Sequence, residues 1–401
     1  MPETQEIQRF PFPTALPAEP APRYAELRNT EPVSPVLLPT GHAGWVVTRY
    51  DDVRAVCTDA RFSKQAVTEP GAPRLLPIFQ ELRSIVVMDA PEHTRLRKLV
   101  VKAFSARRVE SLRPYMRQVT EELIAAMTAG PPEADVVAAV AMPLPIKVIC
   151  ELLGVPFQDR EQFRIWGDAV VGLSGSAGGP DAVKEAAVQL FGYLDALIDS
   201  KRRTPADDLL TALLAAHEAD DRLSAEELRV FALTLLMAGY HTTASAISQA
   251  LFHLLRRPES YRSLVGAPGD VLDRALEELL RYSQVANGLG AMRIALEDVE
   301  LSGVLIRKGD AVVPAFGSAN RDGAVFPDAD RLVLDRQDNP HISFGAGIHY
   351  CLGAQLARAE MQILLATLTE RLPTLSLVNP DDPLTWTTPA FPRPAAMLVR
   401  W

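Results

Sequence analysis

One stretch constrains the fold more than any other. Ala225 to Arg256 holds no proline and a single glycine, and it reads as one uninterrupted helix. Its start is a capping box: the Ser224 hydroxyl accepts the N–H three residues on, and Glu227 reaches back. Pro258 stops it. About 32 residues at 1.5 Å each span roughly 48 Å, enough to cross a whole domain. A helix of that length in a globular chain is a scaffold on which something sits. Apolar residues also recur three and four apart in Val109–Met127 and Asp181–Ser200, so the text from Asp51 to about Tyr282 is mostly helical.

The remainder is shorter and more mixed. The opening segment, to about Pro39, holds nine of the 32 prolines and reads as an extended arm draped over a larger body. Trp45–Cys57 passes from a strand-like run into a short helix beginning near Asp51. Gly172–Pro180 has too many glycines for a helix interior and is expected to be a mobile loop. After Asn287, short β-branched runs alternate with glycine turns, which predicts a small sheet. A helix returns at Leu352–Leu372, and the tail reads as a closing hairpin. No repeat and no long linker appears. The expectation is one domain over 1–401, mainly α, with a small β-rich region.

Composition narrows the function classes. The 401 residues are 48% hydrophobic and 23% charged, a balance that builds a core and excludes a disordered or collagen-like chain. With 41 Lys+Arg against 50 Asp+Glu, the formal charge of −9 argues against coating nucleic acid. Three cysteines without a CxxC pair exclude a disulfide scaffold. The first residues carry no apolar core, and no run approaches the ~20 consecutive apolar residues of a spanning helix. A soluble, cytoplasmic monomer is expected.

The chemistry concentrates in FGAGIHYCLGAQLARAE, Phe344 to Glu360. A glycine-rich turn delivers Cys351 at the start of a helix, where unpaired N–H groups favour a thiolate. Gly345 and Gly347 allow a sharp turn, and Gly353 allows close approach to a flat ligand. Read alone, Cys351 could equally be a buried, inert thiol. A dinucleotide fingerprint fails because Tyr350 stands where glycine is required. A zinc site on His349 and Cys351 lacks a second ligand pair.

This segment resembles the haem-binding loop of the cytochrome P-450 haem-thiolate monooxygenases at Phe344, Gly345, Gly347, His349, Cys351, Leu352 and Gly353. The resemblance runs through nearly the whole chain. It implies the cytochrome P-450 fold, with haem b between the long helix and the helix after the cysteine, and Cys351 as proximal ligand of the iron. Thiolate ligation pushes electron density to the iron and favours O–O cleavage. The resemblance further implies His93, Arg97, Arg293 and His349 as donors to the haem propionates, which need cationic partners to stay ionised. Glu278, Arg281 and Arg336 match a buried ion-pair network, assigned to folding and haem retention; alone, the first two would be an ordinary surface pair. Ala238, Gly239 and Thr242 match the oxygen-binding stretch, although two small residues can also serve helix packing. A threonine hydroxyl bonded to the carbonyl one turn back bends a helix locally.

Two departures stand out. The residue before Thr242 is usually acidic in the family and here is His241, an imidazole expected to titrate near neutral pH unless its surroundings shift it. The usual proline after the Glu/Arg helix is missing from YSQVANGLG. Thr94–Arg108 carries six basic residues and no acidic one. The resemblance makes it a docking face for an acidic ferredoxin, with Lys98, Lys102, Arg107 and Arg108 as candidates; read alone it is a solvated helix face.

The implied activity is reductive activation of dioxygen, with electrons from NAD(P)H through ferredoxin reductase and ferredoxin, to hydroxylate a hydrophobic small molecule of bacterial secondary metabolism. A macrolide, terpenoid, aromatic polyketide or cyclic peptide would suit. Gln65, Val86, Gln284, Val285, Asn287, Leu289 and Phe391 are the candidate substrate-pocket residues. Oxidative coupling of aromatic or indole units, with His241 handling the proton, is the first alternative, and a non-catalytic haem sensor the second.

Overall fold

The computed structural model describes residues 7–75, 84–101, 104–170, 179–218, 223–285, 291–387 and 391–401. Lys102, Asn287, Leu289 and most of the predicted Gly172–Pro180 loop lie outside these residues. Two compact units are resolved: Met1–Glu81 with Val86–Ala90 and Arg274–Cys351, and Leu82–Ile85 with Pro91–Asp273 and Leu352–Trp401.

The first unit is built on a six-stranded sheet. Its strands run in the order Gln8–Arg9, Val33–Leu37, Ala43–Val47, Ala311–Pro314, Arg293–Ala295, Phe62–Ser63. Both faces are covered, so apolar residues occupy successive positions along a strand rather than alternate ones. Val47, Ala295 and Val312 join the core beneath helix Tyr50–Thr58. Val46, Ile294, Ala311 and Val313 face a second core with Phe10, Phe12 and Leu27. The opening segment is therefore not simply an extended arm. Its prolines punctuate two sheet strands and a helix, Arg23–Thr30, whose Leu27 is buried. Pro35 is accommodated within a paired strand, and this pairing is what sequence reasoning could not see. A hairpin, Val299–Leu301 with Val304–Ile306, turns through Ser302 and Gly303, both at positive φ as a two-residue turn requires.

Within the second unit the long helix runs Ala225–Leu255. The capping box is present, with Ser224 Oγ accepting from the Glu227 N–H at 3.0 Å and Glu227 Oε2 from the Ser224 N–H at 2.6 Å. By length and hydropathy this helix could cross a membrane, but most of its apolar window is buried inside the protein. It is apolar all round because it is packed all round. Helices Ala106–Thr128, Pro143–Leu153 and Gly179–Arg203 belong to the same unit. Gly179 and Pro180 are thus helical, not part of a loop. A three-stranded sheet joins Glu133–Asp135, Leu398–Arg400 and Ser376–Leu377. The expected closing hairpin survives as one antiparallel bridge, Trp386 to Pro394, before the last strand.

In the first unit Glu278, Arg281 and Arg336 form a buried charged cluster. Glu278 and Arg281 are completely buried. Glu278 Oε2 accepts from Arg281 Nε at 2.7 Å and Arg336 Nε at 2.9 Å, and Oε1 accepts from Arg281 Nη2 and the Val333 N–H, both at 2.8 Å. The other Arg281 N–H groups meet the carbonyls of Asn320, Ala329 and Arg331 at 2.7, 2.8 and 3.0 Å. All five guanidinium donors are therefore used. Removing the charge at Glu278 leaves two buried arginines uncompensated. Glu278→Gln is expected to cost about 3–5 kcal/mol, read as a shift of the urea unfolding curve. A loss under about 1 kcal/mol, the range of an exposed pair, would contradict this.

Candidate active site

In the first unit the cysteine loop is held from both ends. Asn320 reaches across to it: Oδ1 accepts from the Ile342 N–H and Nδ2 donates to Ser343 Oγ, both at 2.9 Å. The Tyr50 hydroxyl donates to the Pro340 carbonyl at 2.6 Å. Gly345 and Gly347 have φ of +75° and +70°. At Gly347 a Cβ would also fall 2.5 Å from the Cys57 carbonyl oxygen, so any side chain would push the loop off the helix beneath it. A turn at Gly347–His349 follows, and the Cys351 N–H closes the loop on the Phe344 carbonyl at 2.9 Å. Cys351 itself precedes the helix Ala354–Arg371 by Leu352 and Gly353, slightly earlier than the sequence suggested.

Cys351 is the exposed cysteine of the three. Burial pushes the Cys57 thiol up, and that of Cys150 up to about 12, so neither is a thiolate donor. Among the described residues no three His, Cys, Asp or Glu side chains cluster as a metal-ion site. A metal that brings its other ligands with it, as iron in a porphyrin does, suits a single exposed thiol such as Cys351. Arg293, buried on the adjoining sheet, supplies a cation suited to a carboxylate-bearing group. The residues present fit haem.

The second unit contributes other predicted residues. Helix Glu92–Val101 carries His93, buried, and Arg97, half-buried. On the long helix, Thr242 Oγ1 donates to the Ala238 carbonyl at 2.5 Å. Ala238 is exposed and Thr242 partly so on a helix that is otherwise mostly buried. Gly239 serves packing: a Cβ there would lie 3.0 Å from Ile149 Cδ1.

His241 departs from expectation. Its ring is buried, 3.3 Å from Asp168 Oδ1 and stacked on Phe391 at 6.0 Å between centroids. Burial, then Arg393 and Arg164, push its pKa down to about 3. It does not titrate near neutrality because its surroundings disfavour the cation. Asp168 and Arg393 are neighbours of His241 that sequence reasoning missed, being distant along the chain and lacking a motif.

The described substrate-pocket candidates of the first unit each have their own setting. Gln65 Oε1 accepts from the Asp89 N–H at 3.4 Å. Gln284 is buried against Gly317, where a Cβ would fall 1.8 Å from its Oε1. Val285 is half-buried and Val86 exposed. Arg108 is paired with Asp207 Oδ1 at 2.6 Å rather than free, whereas Lys98 and Arg107 are exposed.

The His241 setting has a pH consequence. A folded-state pKa below the unfolded value of about 6.5 means the unfolded chain takes up the proton first. The contribution of His241 to stability is complete above pH 6.5 and declines as pH falls below it, by about 1.4 kcal/mol per pH unit. His241→Phe should weaken that acid dependence. Imidazole NMR should show His241 neutral from pH 5 to 8, and a midpoint near 6.5 would contradict its burial against Arg164 and Arg393.

Comparison with known proteins agrees with this geometry. A cytochrome P450 family model matches residues 181–265 and 270–396. The chain is 45% identical over 397 residues to the mycinamicin IV hydroxylase/epoxidase of Micromonospora griseorubida, covering 99% of each. It is 42% identical to the nocardicin C N-oxygenase of Nocardia uniformis subsp. tsuyamanensis, again over 99% of each. A solved structure of a point mutant of the mixed-function P450 MycG in complex with mycinamicin IV matches with a TM-score of 0.92 at 45% identity, over 99% of this chain and 100% of that one. These relatives favour neither the coupling nor the sensor alternative. A family model over more than half the chain, with full-length relatives of this kind, places the protein in the cytochrome P450 family.

Proposed function

We propose that Cys351 is the protein's ligand to haem iron in a monooxygenase that hydroxylates a hydrophobic small molecule of bacterial secondary metabolism, one catalytic domain working in the cytoplasm. The observation that carries this reading is the exposed Cys351 in a loop shaped by Gly345 and Gly347 at positive φ. Bound haem supplies the reductive activation of dioxygen, and the side chains control what reaches it. The Cys351 thiolate tunes the iron electronically. Thr242, fixed by its bond to the Ala238 carbonyl, spends its proton on the backbone and keeps oxygen lone pairs to accept from water. His241, held neutral, is not a charged proton donor. Water beside Thr242 carries protons instead.

Membership of the cytochrome P450 family supports electrons delivered by redox partner proteins. A ferredoxin with its reductase and NAD(P)H fits this. The exposed Lys98 and Arg107 form its docking face, with Arg108 neutralised by Asp207.

Two experiments test this reading. The reduced, CO-bound protein should show the red-shifted Soret band of thiolate-ligated haem, and Cys351→Ser should lose it. An unshifted band in the unaltered protein overturns the assignment. For docking, Lys98→Glu with Arg107→Glu should slow electron delivery about ten-fold at low salt and flatten its salt dependence, leaving substrate affinity intact. An unchanged reduction rate removes these residues from the docking face.

A further inference from the structure

Three elements of the second unit meet around one buried guanidinium. Helix Arg160–Val170 brings Arg164 and Asp168, the long helix brings Tyr240 and His241, and the tail brings Phe391 and Arg393. Arg393 is 8% exposed, and Tyr240 and His241 are each 1% exposed.

The backbone that carries Arg393 is pinned from within. The Pro392 carbonyl accepts from Ser245 Oγ and Gln249 Nε2, both at 2.6 Å and both from fully buried residues of the long helix. Thr387 Oγ1 accepts from the Arg393 N–H at 3.2 Å, and the Arg393 carbonyl accepts from the Thr387 N–H at 2.9 Å. Two buried polar side chains are thus committed to fixing the residue next to Arg393.

Charge in the cluster is shared unequally. Arg164 holds two carboxylates, with Nη1 donating to Asp168 Oδ2 and Nη2 to Glu161 Oε1, both at 2.6 Å. Arg393 lies within electrostatic reach of Asp168 and Tyr240. Yet among the described residues it is ion-paired to no carboxylate, and its Nη1 is buried without a hydrogen bond. Both His241 ring nitrogens are likewise buried without one, and in the neutral ring one of them is a donor. A guanidinium stays protonated in proteins, so Arg393 cannot shed its charge as a buried lysine would. Buried polar groups are otherwise nearly always bonded, and a buried charge needs a partner.

We propose that Arg393 anchors a carboxylate on the substrate, with the His241 imidazole as a neighbouring N–H donor. This rests on the monooxygenase reading above and narrows its hydrophobic substrate to one that carries an acid group. The planar guanidinium fork matches the two oxygens of a carboxylate. Phe391, stacked on His241, places apolar surface next to the charge, as a hydrophobic acid requires. His241 directly precedes Thr242, so a molecule anchored there borders the Ala238–Thr242 stretch of the long helix.

The test is calorimetric titration of the holoprotein with ω-phenylalkanoates, from phenylacetate to phenyldodecanoate. Each acid is compared with its primary amide, which keeps the shape and removes the charge. The best-binding acid should bind the wild type about ten-fold tighter than its amide, as expected for one charged hydrogen bond. Arg393→Gln should bring the two within about two-fold and leave the amide affinity unchanged, and Arg393→Lys should keep part of the preference. No acid preference anywhere in the series with the wild type overturns the proposal, as does a preference that survives Arg393→Gln. Equal weakening of acid and amide also overturns it, making Arg393 a packing residue. Should Arg393→Gln not fold, Asp168→Asn decides. Removing that neighbouring negative charge should strengthen the acid preference, and an unchanged or weaker preference overturns the proposal. The titration needs no turnover. An acid preference in a protein whose Soret band shows no thiolate ligation would sink the functional reading and leave the site standing.

Discussion

The Glu278 carboxylate is the point to which much of the first unit is tied. It takes hydrogen bonds from Arg281, Arg336 and the Val333 backbone, and Arg281 passes the connection to the carbonyls of Asn320, Ala329 and Arg331. The Asn320 side chain then grips Ile342 and Ser343, directly ahead of the cysteine loop. Few regular hydrogen bonds hold residues 320–343, which lack long helices or strands. A buried charge cluster substitutes for secondary structure there. It sets where the loop starts, while Gly347 against the Cys57 carbonyl sets how closely the loop lies on its support.

Burial also sorts the ionisable groups by role. Cys57 and Cys150 are silenced because a thiolate is disfavoured in an apolar interior. His241 is kept neutral by the same cost, reinforced by two arginines. Lys64 and Arg293 are buried cations, and Asp89 lies within electrostatic reach of both.

How much of this was legible in the sequence differs by feature. The long helix was readable from Ser224, Glu227 and Pro258 because caps and breakers act locally. The cysteine loop was readable because its glycines answer backbone needs a few residues apart. The strands Gln8–Arg9 and Val33–Leu37 were not, since their partners lie elsewhere in the chain and proline masks their β character. The setting of His241 was equally hidden. Asp168 and Arg393 sit 73 residues before and 152 residues after it in sequence, and only packing brings them together. The family resemblance supplied roles for His93, Arg97 and His349 that no periodicity could have given.

The central claim is that a loop fixed by buried charge and by glycine presents one cysteine to iron. Iron K-edge X-ray absorption on the purified protein addresses it most directly. The account predicts a first shell of nitrogen with one sulfur scatterer, and loss of that sulfur in Cys351→Ser. A wild-type shell of nitrogen and oxygen alone, or a sulfur that persists in Cys351→Ser, would contradict it.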